Sequence, residues 1–361
     1  MHNARLHHDL RSHLRLAIIA DSCRRIRIIC KRHFRHPRLS GMHGGIKRVA
    51  CVGAGTIGRS WATLFAGKGY EVVLQDVDNG ALESARGIIE SNFRALTKYE
   101  LISEAGAKRA IASIEYTTRL PDAVMKSDFV QESVPELLSL KRQIFSTISS
   151  LIHPDVIIAS SSGGFPMSRI QLAAKVPGRC VVIHPCQIPV DLTRLVEIVP
   201  GRLTGARTVK TASSLMREVG KQPLIVKREV QDYIINRLQF TLFREAVDMV
   251  GRGIISAEEI DAALCEFAKA SFCVGLGPFL QAHIHGGSHG VGGFEACMDY
   301  YAKILPDTWR SLAKWSKVPQ SVKLGAEKSV RRLVRERGVS DNELARWRDR
   351  SMLGLARIVW A

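Results

Sequence analysis

The stretch "VACVGAGTIGRSWATLFAGKGYEVVLQDVD", Val49 to Asp78, constrains the fold more than any other part of the chain. An apolar run that predicts a short buried parallel strand over Ile46 to Cys51 leads into Gly53-Ala54-Gly55-Thr56-Ile57-Gly58, and a helix is expected from about Thr56 to Gly67. Each glycine has a steric reason at this spacing. Gly53 allows the tight turn, Gly55 lets a pyrophosphate reach the backbone, and Gly58 lets the helix lie close on the strand. The helix start then offers its free amides and the positive end of its dipole to that phosphate. A second strand, "EVVLQD", ends 18 residues beyond Gly58 on Asp76. A carboxylate there accepts from both hydroxyls of an adenosine ribose and repels a 2′-phosphate, and no Arg follows at once, so the pattern predicts NAD over NADP.

Downstream, strands and helices alternate as a doubly wound α/β sheet requires. Strands are expected within Ser127 to Glu136, over "DVIIASSSGG", over Arg179 to Pro185 and over "RLVEIVPG", with a helix over "KRQIFSTISSLI". Ligands of such sheets bind outside the carboxyl ends of the strands. His184 stands at one of those ends. An imidazole there can take the proton of a secondary alcohol while hydride leaves the same carbon. Glu197, thirteen residues on and back on a neighbouring strand, can fix the ring's tautomer and support the imidazolium.

After Val230 the strand pattern stops. "DYIINRLQFTLFREAVDMVGRG" places Ile235, Leu238, Leu242, Ala246 and Val250 at helical spacing, which predicts a long helix with a core face. Asn236 in its first turn is either a polar cap or an amide donor to a carbonyl oxygen. The expected organisation is a leader over 1–45, a Rossmann-type NAD-binding domain over 46–229 and an all-α substrate and dimerisation domain over 230–361.

The chain carries a formal net charge of +18. Residues 1–45 hold ten Lys and Arg against only Asp9 and Asp21, and their pattern differs from that of the body. The change of pattern favours a start of translation at Met42, with a mitochondrial-type presequence or a nucleic-acid arm as the alternatives for this leader. Eight cysteines without a CxxC pair predict reduced thiols in a cytoplasmic setting. Every apolar run is broken by charge before the roughly 20 residues a membrane span needs. His283, His285 and His289 are close in sequence, but no Cys, Asp or Glu completes a ligand set beside them, so no metal is expected.

Taken together, "VGAGTIGRSWATLFA", "QESVPE", "LIVKREVQDYIINRLQ", "GRGIISAEEIDAA" and "ARWRDRSMLGLARI" resemble the 3-hydroxyacyl-CoA dehydrogenase superfamily, with the lambda-crystallin or L-gulonate 3-dehydrogenase branch as the nearest match. The resemblance runs from Ile46 to the C-terminus. It implies an NAD-dependent oxidoreductase acting on the 3-hydroxyl of an L-3-hydroxy acid or its CoA thioester, as in fatty acid metabolism. A crystallin-like NAD-binding protein with little turnover is the alternative. By resemblance, Gly53, Gly55, Thr56, Ile57, Gly58 and Asp76 belong to the dinucleotide site, and Glu132 and Lys141 line its nicotinamide side. His184 is then the base paired with Glu197, Asn236 holds the substrate oxygen, and the partner is a second copy of the chain.

The departures from the family pattern lie near that site. Gly163 stands where the family has a substrate-contacting serine, leaving Ser160, Ser161 or Ser162 as sources of a hydroxyl. Gln187-Ile188-Pro189 replaces an Asn-Pro step with one extra residue, and Asp232 replaces a glycine before the long helix.

Overall fold

The computed structural model describes residues 45–271, 279, 293–338 and 340–360. The leader up to residue 44 and the histidines at 283, 285 and 289 lie outside these. The described residues divide into two compact units, one made of 45–238 with 347–360, the other lying between 239 and 346.

Eight strands build the first unit: β1 (Arg48–Val52), β2 (Glu71–Gln75), β3 (Ile114–Thr117), β4 (Phe129–Glu132), β5 (Ile157–Ser160), β6 (Cys180–Pro185), β7 (Leu195–Pro200) and β8 (Gln222–Ile225). They form one sheet in the order β3-β2-β1-β4-β5-β6-β7-β8. All neighbours run parallel except β6 and β7. The strand order reverses between β1 and β4, and a crevice opens there beyond the carboxyl ends.

Helices α1 (Thr56–Gly67), α2 (Asn79–Lys98), α3 (Glu104–Ala112), α4 (Leu120–Val124), α5 (Leu138–Leu151), α6 (Met167–Ile170) and α7 (Ala206–Glu218) cover the sheet. Both sheet faces are dry, which is why the central strands are continuously apolar rather than alternating. One core gathers Trp61, Phe65, Phe93 and Phe129, and the other Phe145, Ile148, Ile158 and Met167. Trp61 and Phe65, four residues apart on α1, stack with centroids 5.6 Å apart, so α1 lies down on one face. Asp78 starts α2 by accepting from the Gly80 amide at 2.8 Å.

The remaining helices are α8 (Ile235–Gly251), α9 (Ala257–Ser271), α10 (Gly293–Ile304), α11 (Pro306–Ser311), α12 (Gln320–Arg337) and α13 (Asp341–Trp360). The apolar stripe of α8 is not wholly a core face. Val250 is buried, whereas Leu238 and Leu242 are exposed at 64% and 52%. Among the described residues no helix is long and apolar enough to cross a membrane.

Candidate active site

The glycine loop closes over the crevice between β1 and β4. Gly53 has φ of 99°, and a Cβ there would lie 2.7 Å from the Ser133 carbonyl oxygen, so only glycine fits the turn. A Cβ on Gly58 would lie 1.7 Å from the Gly53 carbonyl oxygen. Gly55 differs: nothing lies within 4 Å of its Cβ direction. It caps α1 with no side-chain hydrogen bond and no acidic residue in the first turn, which leaves that helix start suited to an anion.

The cleft here measures about 660 Å³ and is lined by Gly53, Gly55, Thr56, Ile57 and Asp76, among others. Asp76 follows β2, and its two oxygens accept from the amides of Ala54 at 2.7 Å and Asp78 at 3.1 Å. This carboxylate is therefore held at the rim. A glycine cradle that a Cβ would fill, an open helix start and a fixed acid fit an NAD adenosine and pyrophosphate. Substituting Asp76→Ala is expected to raise the preference for NADP relative to NAD by about 10²-fold, since a like-charge contact with a 2′-phosphate costs several kcal/mol. Parallel titration with the two reduced cofactors checks it; an unchanged ratio counts against Asp76 as the discriminating group.

Lys141 and Ser161 also line the cleft. Glu132 lies fully buried with both oxygens engaged: Lys141 Nζ donates at 2.8 Å and the Val134 amide at 2.7 Å to one, and the Ser160 hydroxyl at 2.6 Å to the other. Lys141 reaches Glu136 as well, at 3.2 Å. A buried ion pair with each group multiply hydrogen-bonded fixes the lysine at the cleft wall.

The three serines take separate partners. Ser160 serves Glu132. Ser161 accepts from Trp61 Nε1 at 3.1 Å and Gln131 Nε2 at 2.8 Å and meets the Ser133 hydroxyl at 2.8 Å. Ser162 donates to Glu136. All three are buried, and none of these bonds joins them to His184.

His184 sits near the carboxyl end of β6, and the antiparallel register sets Glu197 of β7 directly opposite. His184 Nδ1 lies 2.9 Å from Glu197 Oε2. The extra residue between them is absorbed in the β6–β7 loop, which makes a short helical turn at Val190–Leu192, and the pairing is intact. Glu197 Oε1 accepts from the amides of Ile234 at 2.9 Å and Ile235 at 3.1 Å, at the start of α8. Burial alone would raise its carboxyl, but the bonds from His184 and those two amides outweigh burial and hold it below the usual carboxylate range. A charged Glu197 keeps the proton on Nδ1 and leaves Nε2 as the free acceptor.

Nε2 faces Gly163. A Cβ on Gly163 would lie 3.3 Å from His184 Nε2 and 3.2 Å from Asn236 Nδ2. Asn236, in the first turn of α8, donates from Nδ2 to the Gly163 carbonyl at 3.0 Å. An acceptor for a proton and an amide donor thus meet at one point, where the bare glycine leaves room. Next to it, Asp232 Oδ1 would lie 2.9 Å and Glu136 Oε1 3.9 Å from a Cβ on Gly164. Asp232 has φ of 60°, a left-handed conformation natural for glycine.

Sequence reading missed the wall behind the histidine. Tyr233 is fully buried, its ring 5.6 Å from that of His184, and its hydroxyl donates to the Phe165 carbonyl at 2.6 Å. Glu136 was missed too, although it closes the quoted "QESVPE"; a carboxylate four residues past the end of β4 at the switch point was the available signal.

Comparison with known proteins identifies the family. Residues 48–230 match the family model "3-hydroxyacyl-CoA dehydrogenase, NAD binding domain", and residues 233–326 its C-terminal domain. L-carnitine dehydrogenase of Nocardiopsis dassonvillei is 36% identical over 315 residues, 86% of this chain and 91% of that protein. The L-carnitine dehydrogenase of Streptomyces coelicolor is 38% identical over 268 residues, 74% of this chain and 81% of that protein. Among solved structures, the NAD+-dependent dismutase 5-formyl-3-hydroxy-2-methylpyridine 4-carboxylic acid 5-dehydrogenase superposes with a TM-score of 0.68 at 28% identity, covering 88% of this chain and 99% of that one. The (S)-3-hydroxybutyryl-CoA dehydrogenase of Ralstonia eutropha gives a TM-score of 0.58 at 28% identity, covering 74% and 90%. A Rossmann-type sheet with an NAD cleft, a helical C-terminal region and matches over nearly the whole described chain lead to one assignment: this chain belongs to the 3-hydroxyacyl-CoA dehydrogenase family of NAD-dependent oxidoreductases.

Proposed function

We propose that this enzyme oxidises the 3-hydroxyl of a small L-3-hydroxy carboxylate that carries a positive charge beyond the reacting carbon, a carnitine-like molecule, rather than a CoA thioester. In this reading His184 Nε2 takes the hydroxyl proton and Glu197 stabilises the imidazolium. Asn236 Nδ2 steadies the oxygen as it becomes a carbonyl. NAD, when bound, accepts the hydride, and the protein supplies orientation and charge.

The observation that carries the substrate class is the Asp232 carboxylate, which lies against Gly164 beside the meeting point at Gly163, whereas Glu136 on the same glycine is already paired with Lys141. A carboxylate there attracts an ammonium group and opposes the phosphates of CoA. The names of the relatives, L-carnitine dehydrogenases, point the same way.

The test is turnover with L-carnitine, L-3-hydroxybutyrate, 3-hydroxybutyryl-CoA and L-gulonate. The last is included because of the branch that the sequence resembles. The highest kcat/KM is expected for L-carnitine. Asp232→Asn should lower it by about tenfold, chiefly through KM, because one unit of attraction near a partly buried site is worth about 1 to 1.5 kcal/mol. Faster turnover of the thioester, or equal loss for the cationic and uncharged-tail substrates, would overturn the reading. The same proposal includes a cytoplasmic homodimer, supported by the exposed Leu242 and Phe243 of α8, which a second copy would cover.

A further inference from the structure

Cys186 begins the loop after β6 and stands two residues beyond His184, hence on the same side of the extended chain. Its sulfur, a ring nitrogen of His184 and a carboxylate oxygen of Glu197 all lie within 4.8 Å of one another, and all three residues are buried. Alcohol oxidation uses the nitrogen and the carboxylate but has no use for sulfur. Burial, and after it the nearby Glu197 carboxylate, pushes the Cys186 thiol up to about 12, so it rests as neutral S–H.

Imidazole nitrogen, thiolate sulfur and carboxylate oxygen are the donors that zinc selects, with bonds of about 2.0 Å to N and O and about 2.3 Å to S. Tetrahedral ligands at those lengths stand roughly 3.3 to 3.6 Å apart. The present spacing reaches that by loosening the 2.9 Å contact between His184 and Glu197 and drawing the sulfur in. The hard cations, which prefer all-oxygen shells, are excluded by the sulfur and nitrogen.

We propose that His184 Nδ1, Cys186 Sγ and Glu197 Oε2 form an inhibitory site for a borderline-soft divalent cation such as zinc. On binding, the thiol proton passes to solvent and the Nδ1 proton is relocated to Nε2, so one proton is released per ion and no oxidation state changes. The thiolate and the carboxylate balance the two charges of the ion. Nε2 then bears hydrogen and has no lone pair for the substrate proton. The inhibition, though not the binding, rests on the reading of His184 as the base.

The experiment uses the metal-free full chain. Zinc is expected to inhibit turnover reversibly, with chelator restoring the rate, and cobalt(II) should give a sulfur-to-metal charge-transfer band. Cys186→Ser should abolish that band and raise the half-inhibiting zinc level by about 10- to 100-fold, measured against the variant's own metal-free rate. Cys186→Ala is the second variant should the serine misfold, and Cys265→Ser, altering an exposed thiol, should leave the band in place. A band that survives both Cys186 variants, or no band at all, overturns the site. A band lost with Cys186 but no zinc inhibition retains the site and overturns His184 as the base.

Discussion

His184→Ala is expected to lower kcat/KM by about 10²- to 10⁴-fold, the range general-base groups contribute, while leaving reduced-cofactor binding intact. The separation follows from position: His184 does not line the 660 Å³ dinucleotide cleft. Alanine also strands one oxygen of Glu197 in the interior, and an unpaired buried polar group costs about 1 to 3 kcal/mol. His184→Gln is therefore the sharper variant. Its amide can still donate towards Glu197 but has no basic nitrogen, so it should recover part of the thermal stability lost in the alanine variant without recovering turnover. Initial rates, cofactor fluorescence and thermal melts on the two variants check this. A rate within about threefold of the parent in either variant would remove the imidazole from the reaction.

The second large effect concerns the glycine loop. Gly58→Ala adds a methyl 1.7 Å from the Gly53 carbonyl oxygen and 2.9 Å from its carbon, both rigid backbone atoms at the centre of the sheet. Alanine would favour the helix by about 1 kcal/mol, but α1 must lift off β1 to admit it. Overpacking in a dense core costs about 1 to 3 kcal/mol and more when backbone is the obstacle. The melting temperature should fall by roughly 5 to 10 °C, given about 2 to 4 °C per kcal/mol in a unit of this size, and NAD binding should weaken with it. Gly55→Ala offers the contrast, because its Cβ meets no atom within 4 Å. That variant should melt like the parent and still bind NAD at least about tenfold more weakly, since the methyl enters the space of the pyrophosphate. Equal melting losses in the two variants would refute this division of labour.

Much of this arrangement was legible in the chain itself, because its signals are local. The glycine spacing, the acid after the second strand and an imidazole at a strand end are each fixed by a few consecutive residues. What the sequence hid depends on tertiary neighbours. The region between Asn79 and Lys126, with α2, α3 and β3, carries no chemical motif and went unread. Ser160, Ser161 and Ser162 were plausible hydroxyl donors by proximity in sequence, yet each side chain is committed to a different partner: Glu132, the Trp61–Gln131–Ser133 group and Glu136. Nothing in their order announces which. The stripe on α8 announced an apolar face correctly but not that Leu238 and Leu242 would remain exposed in one chain.

The antiparallel rung between β6 and β7 has a consequence for how such a protein can diverge. Because His184 and Glu197 are cross-strand neighbours, their spacing is set by the backbone ladder and not by the thirteen-residue path that joins them. The hairpin tip can therefore gain or lose residues while the proton-handling couple stays in step. Novelty collects at the tip, and the rung preserves the chemistry.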